Sequence, residues 1–198
     1  IKKNPAILTR GYGSDEDRML TDELADVPVY VGQDRVKSAY RAKNKNSDVL
    51  ILDDGFQHRR LERDLNILLL DSVDVFGNRQ LFPRGVLREP ETAVGRADMI
   101  VLTKADWVNL ERRNFLVRHL ERMSPGIPVV QVRHRPSFLS DAAGSSFAPD
   151  SICGTRVCLA SGIADPEYFA FLVGGLGATV GDRKSTRLNS SHSSISYA

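Results

Sequence analysis

"DVLILDDGFQHRR", residues 48–60, sets four consecutive apolar residues before two aspartates, then follows them with a Gly, a Phe, a Gln, a His and two arginines. An uninterrupted run such as VLIL reads as a β-strand covered on both faces, the mark of a parallel sheet. Ligands of open parallel sheets gather at the carboxyl ends of the strands. Asp53 and Asp54 therefore stand where chemistry is expected. An apolar strand ending in Asp is the pattern of a carboxylate that holds nucleotide-bound Mg²⁺, although a plain turn-forming Asp has the same look. Gly55 frees the backbone to turn, and Gln57 and His58 add donors suited to an oxygen-rich ligand.

Working outward, similar runs recur at residues 5–9, 27–32, 65–71, 98–104, 127–132 and 156–161, with helix-length segments at 15–25, 34–43, 106–123 and 165–175. Asp106 is a candidate N-cap for the third helix, and Asp165 followed by Pro166 opens the fourth. Alternating strands and helices predict an α/β fold, doubly wound around a mostly parallel sheet with helices on both faces. The polar segment Arg133 to Gly154, with its Ser, Pro and Gly residues, is a candidate domain boundary. With 41% hydrophobic and 26% charged residues, the 198-residue chain has a globular composition rather than a disordered one. A net charge of +2 with dispersed Lys and Arg gives no nucleic-acid footprint. Cys153 and Cys158 lack metal or CxxC spacing and imply a reduced compartment. No run reaches the ~18 apolar residues of a membrane span, and the first residues have neither an initiator Met nor a signal pattern.

Two further strand ends carry polar groups: "ILTRGYG" (7–13) offers Arg10 and Tyr12, and "VLTKAD" (101–106) offers Lys104 and Asp106. "TKAD" is similar to the guanine-reading element of GTPases, while the plainer reading has Asp106 capping the next helix. No GxxxxGK[S/T] phosphate loop occurs, and the Gly-rich "VGGLGATVGD" (173–182) has no Lys to serve as one.

Taken together, the ordered blocks "ILTRGYG", "VPVYVGQDR", "ILDDGFQHRRLERDLNILLLD", "FGNRQLFPRGVLREP", "RADMIVLTKAD" and "SGIADPEYF" resemble the tetraacyldisaccharide 4′-kinase family over almost all of residues 5–175. The resemblance implies a P-loop NTPase-like kinase core plus the start of a second, smaller α/β domain. It also implies ATP and Mg²⁺ as cofactors, an anionic glycolipid substrate (lipid A disaccharide 1-phosphate), and the cytoplasmic face of the bacterial inner membrane as the site of action. Neither a nucleic-acid nor a protein partner is implied. In this family the phosphate loop lies upstream of the R-G-Y segment, behind an N-terminal membrane anchor, so residues 1–138 are expected to be a kinase core lacking that loop. Residues 139–181 would be a linker and the start of the C-terminal domain, and the chain by itself is expected to be inactive.

Carried over by position, Asp53 corresponds to the Mg²⁺ carboxylate, with Asp54 a catalytic residue of the same loop. Asp15, in "GSDE", corresponds to the catalytic base, with Glu16 beside it; Ser14 interrupts the family's G-D-E pattern there. Arg10, Tyr12, Glu16, Arg35, Gln57, His58, Arg88 and Glu89 correspond to substrate-binding positions. The tail 182–198, "DRKSTRLNSSHSSISYA", matches a conceptual translation of a sequencing-library adapter and is expected to be non-native. Two other readings stay open at this point: a different P-loop NTPase that uses TKAD to recognise its base, and a non-catalytic module binding anionic glycolipid.

Overall fold

The structure, a computed structural model, describes residues 3–11 and 15–185; Tyr12 and the side chains of Asp15 and Glu16 lie outside the described residues. Its contacts divide the chain between Asn66 and Ile67 into two units.

The first unit begins with strand β1 (Pro5–Thr9), helix α1 (Asp15–Glu23) and strand β2 (Val29–Val31). Helix α2 (Arg35–Lys43) and strand β3 (Val49–Leu52) complete it. The three strands are parallel in the order β2-β1-β3, with Ile7 opposite both Val29 and Ile51. Ala6 and Leu8 of β1 form a core with Ala39 and Ala42 of α2, and Tyr30, Leu50, Leu52 and Leu61 pack against it. The small alanines let α2 lie close to the sheet. Asp34 starts that helix, its carboxylate accepting from Val36 N and Lys37 N at 3.1 and 3.3 Å.

The second unit opens with β4 (Ile67–Asp71), β5 (Met99–Thr103), helix α3 (Leu110–Met123) and β6 (Val129–Gln131), a parallel sheet in the order β4-β5-β6. Its centre is apolar: Leu68, Leu70, Ile100, Leu102 and Leu120 are buried. The short strands β7 (Leu139–Ser140) and β8 (Ser146–Phe147) form an antiparallel hairpin, and β9 (Arg156–Ser161), α4 (Pro166–Gly175) and β10 (Thr179–Ser185) follow as a right-length β-α-β unit with parallel strands. Asp182–Ser185 of the tail read as non-native belong to β10 in this structure.

Two expectations change. Asp106 does not cap α3; Asn109 does, its side chain accepting from Arg112 N at 2.8 Å, so the helix begins later than its sequence pattern suggests. Nor are all strands buried on both faces. β3 and β4 are edges of their sheets and alternate between exposed and covered residues, leaving Val49, Ile51, Ile67 and Leu69 between 39% and 51% exposed.

Candidate functional site

In the first unit the chemistry collects where β1 and β3 end. The ladder continues one residue past β3, Asp53 N donating to Leu8 O at 3.0 Å, which fixes Asp53 beside the end of β1. Asp54 then turns the chain in the left-handed region (φ 45°), a conformation that Asp tolerates better than most side chains. Its carbonyl accepts from Arg35 Nη1 at 2.9 Å. Arg35 is only 4% exposed, so the start of α2 is tied to the loop through a nearly dry guanidinium. Gly55 is obligatory: a Cβ there would stand 2.6 Å from Leu52 Cβ. Its carbonyl accepts from His58 N and from Arg63 Nη1, which closes the DDGFQH segment into a compact turn.

These contacts set the electrostatics. Burial first, then the neighbouring Asp54 charge, raise the Asp53 carboxyl above its ordinary range, against a lowering by Arg35. Burial together with Arg35, Arg60 and Arg63 lowers His58, so its imidazole is neutral at pH 7. Its Nε2 is buried and has no hydrogen-bond partner among the described residues. Gln57 is half-buried and Arg10 exposed at the same strand ends.

Sequence reasoning missed Asp17. Thr9, at the last position of β1 and 5% exposed, donates its hydroxyl to Asp17 Oδ1 at 2.8 Å. The Asp17 charge also contributes to raising Asp53. The acidic start of α1 is thereby pinned to the β1 end. Gly11 lets the chain leave β1 close beside β2, since at φ 68° a Cβ would stand 2.1 Å from Val31 Cγ1. Asp17 lies on the first turn of α1 beside Asp15 and Glu16, a signal that only the helix's docking against β1 separates from theirs.

In the second unit Glu89 pairs with Arg96 at 2.5 Å, and Arg88 is exposed beside it. The polar groups of TKAD are engaged elsewhere. Lys104 Nζ bonds Asp71 at 2.5 Å and Asp165 at 2.6 Å, and Asp106 Oδ1 accepts from the Tyr168 hydroxyl at 3.0 Å. Trp107 and Phe171 pack edge-to-face at 4.6 Å beside them. TKAD thus joins the ends of β4 and β5 to the start of α4.

Parallel strands that end in a carboxylate pair, with Arg35 of α2 bonded to the Asp54 carbonyl, make an α/β fold, and its solved neighbour places that fold in the P-loop kinase class. The structure of LpxK from Aquifex aeolicus in complex with ATP matches it with a TM-score of 0.71 at 31% identity, covering 93% of this chain and 62% of that one. The family model for LpxK, tetraacyldisaccharide-1-P 4′-kinase, matches residues 2–187, and the chain belongs to that family. The tetraacyldisaccharide 4′-kinase of Anaeromyxobacter sp. (strain K) is 40% identical over 177 residues, covering 88% of this chain and 47% of the relative. That of Syntrophobacter fumaroxidans is 40% identical over 195 residues, covering 86% and 51%. The chain spans about half the length of the curated relatives it matches.

Proposed function

We propose that the protein carrying this chain transfers the γ-phosphate of ATP to the 4′-hydroxyl of a tetraacyldisaccharide 1-phosphate, at the cytoplasmic face of the bacterial inner membrane. The observation that carries the proposal is the Asp53–Asp54 pair at the end of β3, with Arg35 anchored on the Asp54 carbonyl. Family membership supplies the reaction. No helix among the described residues is long and apolar enough to cross a membrane.

Phosphoryl transfer depends on alignment and charge stabilisation more than on covalent catalysis. Asp53 suits a hard divalent cation: partial desolvation and the neighbouring Asp54 charge raise its carboxyl pKa, and a cation beside the pair would favour the charged carboxylate and offset the Asp54 repulsion. Asp53 would hold the ion, and a divalent cation there would supply neutralisation of phosphate charge. Asp54 stiffens the same turn and lies within the catalytic loop. Asp15, at the start of α1, orients or deprotonates the sugar hydroxyl, with Glu16 beside it. Arg10, Tyr12, Arg35, Gln57 and His58 are the substrate-binding positions of the first unit in this reading, and Arg88 and Glu89 are taken by themselves as substrate-binding positions of the second. A neutral His58 contributes a hydrogen bond rather than a charge. Guanidiniums suit the substrate phosphate because they bind it in bidentate fashion.

The reading keeps residues 1–138 as kinase core, 139–181 as linker and start of a further domain, and 182–198 as a non-native tail. The chain contains no GxxxxGK[S/T] loop, so ATP phosphates would be cradled by residues outside it. A guanine-reading role for TKAD is disfavoured because Tyr168 already occupies Asp106. The test is γ-phosphate transfer by the complete gene product to a lipid A disaccharide 1-phosphate. Asp53→Asn and Asp15→Asn are each expected to lower kcat by at least about a hundredfold, and the 198-residue chain to show no turnover. Full activity in Asp53→Asn would sink the assignment.

A further inference from the structure

The loop between β4 and the 3₁₀ turn Glu91–Arg96 exposes apolar side chains at its tip: Leu81 is 46% exposed, Phe82 80% and Val86 39%. Chance exposure on a slack loop does not describe it, because the loop is held from within. Phe82 N donates to Leu87 O at 2.9 Å, Leu87 N to Gln80 O at 3.2 Å, and Asn78 Nδ2 to Arg84 O at 2.9 Å. Arg79 grips Glu91 with two hydrogen bonds of 2.5 and 2.7 Å. Leu87 is buried and anchors the base. At Gly85 a Cβ would stand 2.1 Å from Asn78 Oδ1 and 2.3 Å from Gln80 O, so only glycine permits the closure. The sequence thus fixes a loop whose outer surface is apolar, above an open pocket of about 520 Å³.

The acidic groups near that tip are paired: Glu91 with Arg79 and Glu89 with Arg96. Arg84, next to the exposed Phe82-Pro83, is itself exposed and forms no ion pair among the described residues. An aromatic and an aliphatic side chain at a stiff tip, with arginine beside them, suit the boundary between lipid headgroups and acyl chains: the rings sink below the headgroups while the guanidinium meets their phosphates.

We propose that the Leu81–Val86 tip docks this protein on an anionic lipid bilayer. The inference rests on the reading that the substrate is a four-chain phosphorylated lipid, which a bilayer presents; the same loop ends in Arg88 and Glu89, so docking brings the candidate substrate residues to the membrane plane.

The test is flotation of this chain with vesicles of phosphatidylcholine alone and of phosphatidylcholine mixed with phosphatidylglycerol. The chain is expected to float with the mixed vesicles. Phe82→Ser with Leu81→Ser is expected to weaken binding about tenfold or more, and Arg84→Gln to weaken it only on the anionic mixture and with a shallower salt dependence. Circular dichroism checks that the exposed substitutions leave the fold intact. Phe82→Trp adds an indole to the lone Trp107, and its difference emission is expected to shift to the blue on anionic vesicles.

Absence of flotation by the wild type, or equal flotation by the tip variants, overturns the proposal. So does a residue-82 indole already shielded without vesicles, which would mean that another segment or a second copy covers the tip. Failure of the kinase reading is seen separately, as no transfer to detergent-dispersed substrate by the intact wild type. If that transfer is present, Phe82→Ser is expected to keep it and to lose transfer to vesicle-embedded substrate.

Discussion

Lys104 is the residue whose role departs furthest from its look in the sequence. Its ammonium, with a side chain 17% exposed, lies between Asp71 and Asp165, and burial, which alone would lower its pKa, is outweighed by the bonds to the two carboxylates. Asp165 is likewise held below the ordinary carboxylate range despite its burial. A depressed acid stabilises the fold above its unfolded pKa near ~3.9, and that contribution is lost as pH falls through the folded value. A raised lysine stabilises it below ~10.4, lost as pH rises through the folded value. Lys104→Met is therefore expected to cost about 2 kcal/mol at pH 7, less than a fully buried pair because Asp165 is partly solvated, and to flatten both the acid and the alkaline limb. Urea titrations across pH would measure this; an unchanged midpoint would remove the clamp from the account. The sequence showed the letters TKAD but not their partners, which lie 33 and 61 residues away and meet only through the fold. The places of Asp53 and Gly55 were readable because the strand ahead of them, Val49–Leu52, fixes where the turn falls. Asp17 was hidden because its role depends on where α1 lands against β1.

The strands were the most legible elements. All seven apolar runs became strands, and the last one, Arg156–Ser161, matches residue for residue. Helix starts were less so. Asp106 and Asn109 are both good capping types three residues apart, and propensity cannot choose between them; the hydroxyl of Tyr168, from α4, settles the matter by claiming Asp106. Asn109→Ala is accordingly expected to destabilise the protein by about 1 kcal/mol through loss of the α3 cap. Asp106→Ala should leave the helical signal in circular dichroism unchanged while breaking the link to α4. Equal loss of helix in both variants would restore the earlier cap. The β7-β8 hairpin escaped notice because each strand has two residues and no alternation to read.

At the scale of the whole molecule, each unit carries a parallel sheet with an apolar edge: β3 with Ile51 exposed in the first, β4 with Leu69 in the second. Such edges invite pairing with other chains. This chain is therefore expected to associate as its concentration rises, and Ile51→Lys to reduce the effect, both measured by light scattering after gel filtration; indifference to the charge would place the association elsewhere. Continuous apolar runs in the sequence foretold parallel strands correctly but not which of them would be edges, since edge status belongs to the assembled sheet.

The register of β1 also bears on synthesis. Ile7 pairs with Val29 and Ile51, 22 and 44 residues further along, and no hairpin occurs in either three-stranded sheet to close early. A ribosome adding ~5–20 residues per second leaves β1 without its second neighbour for about 2–9 s. For that interval the most buried strand of the first unit waits only partly paired, and nascent-chain chaperones, rather than the finished fold, must keep it from the wrong company.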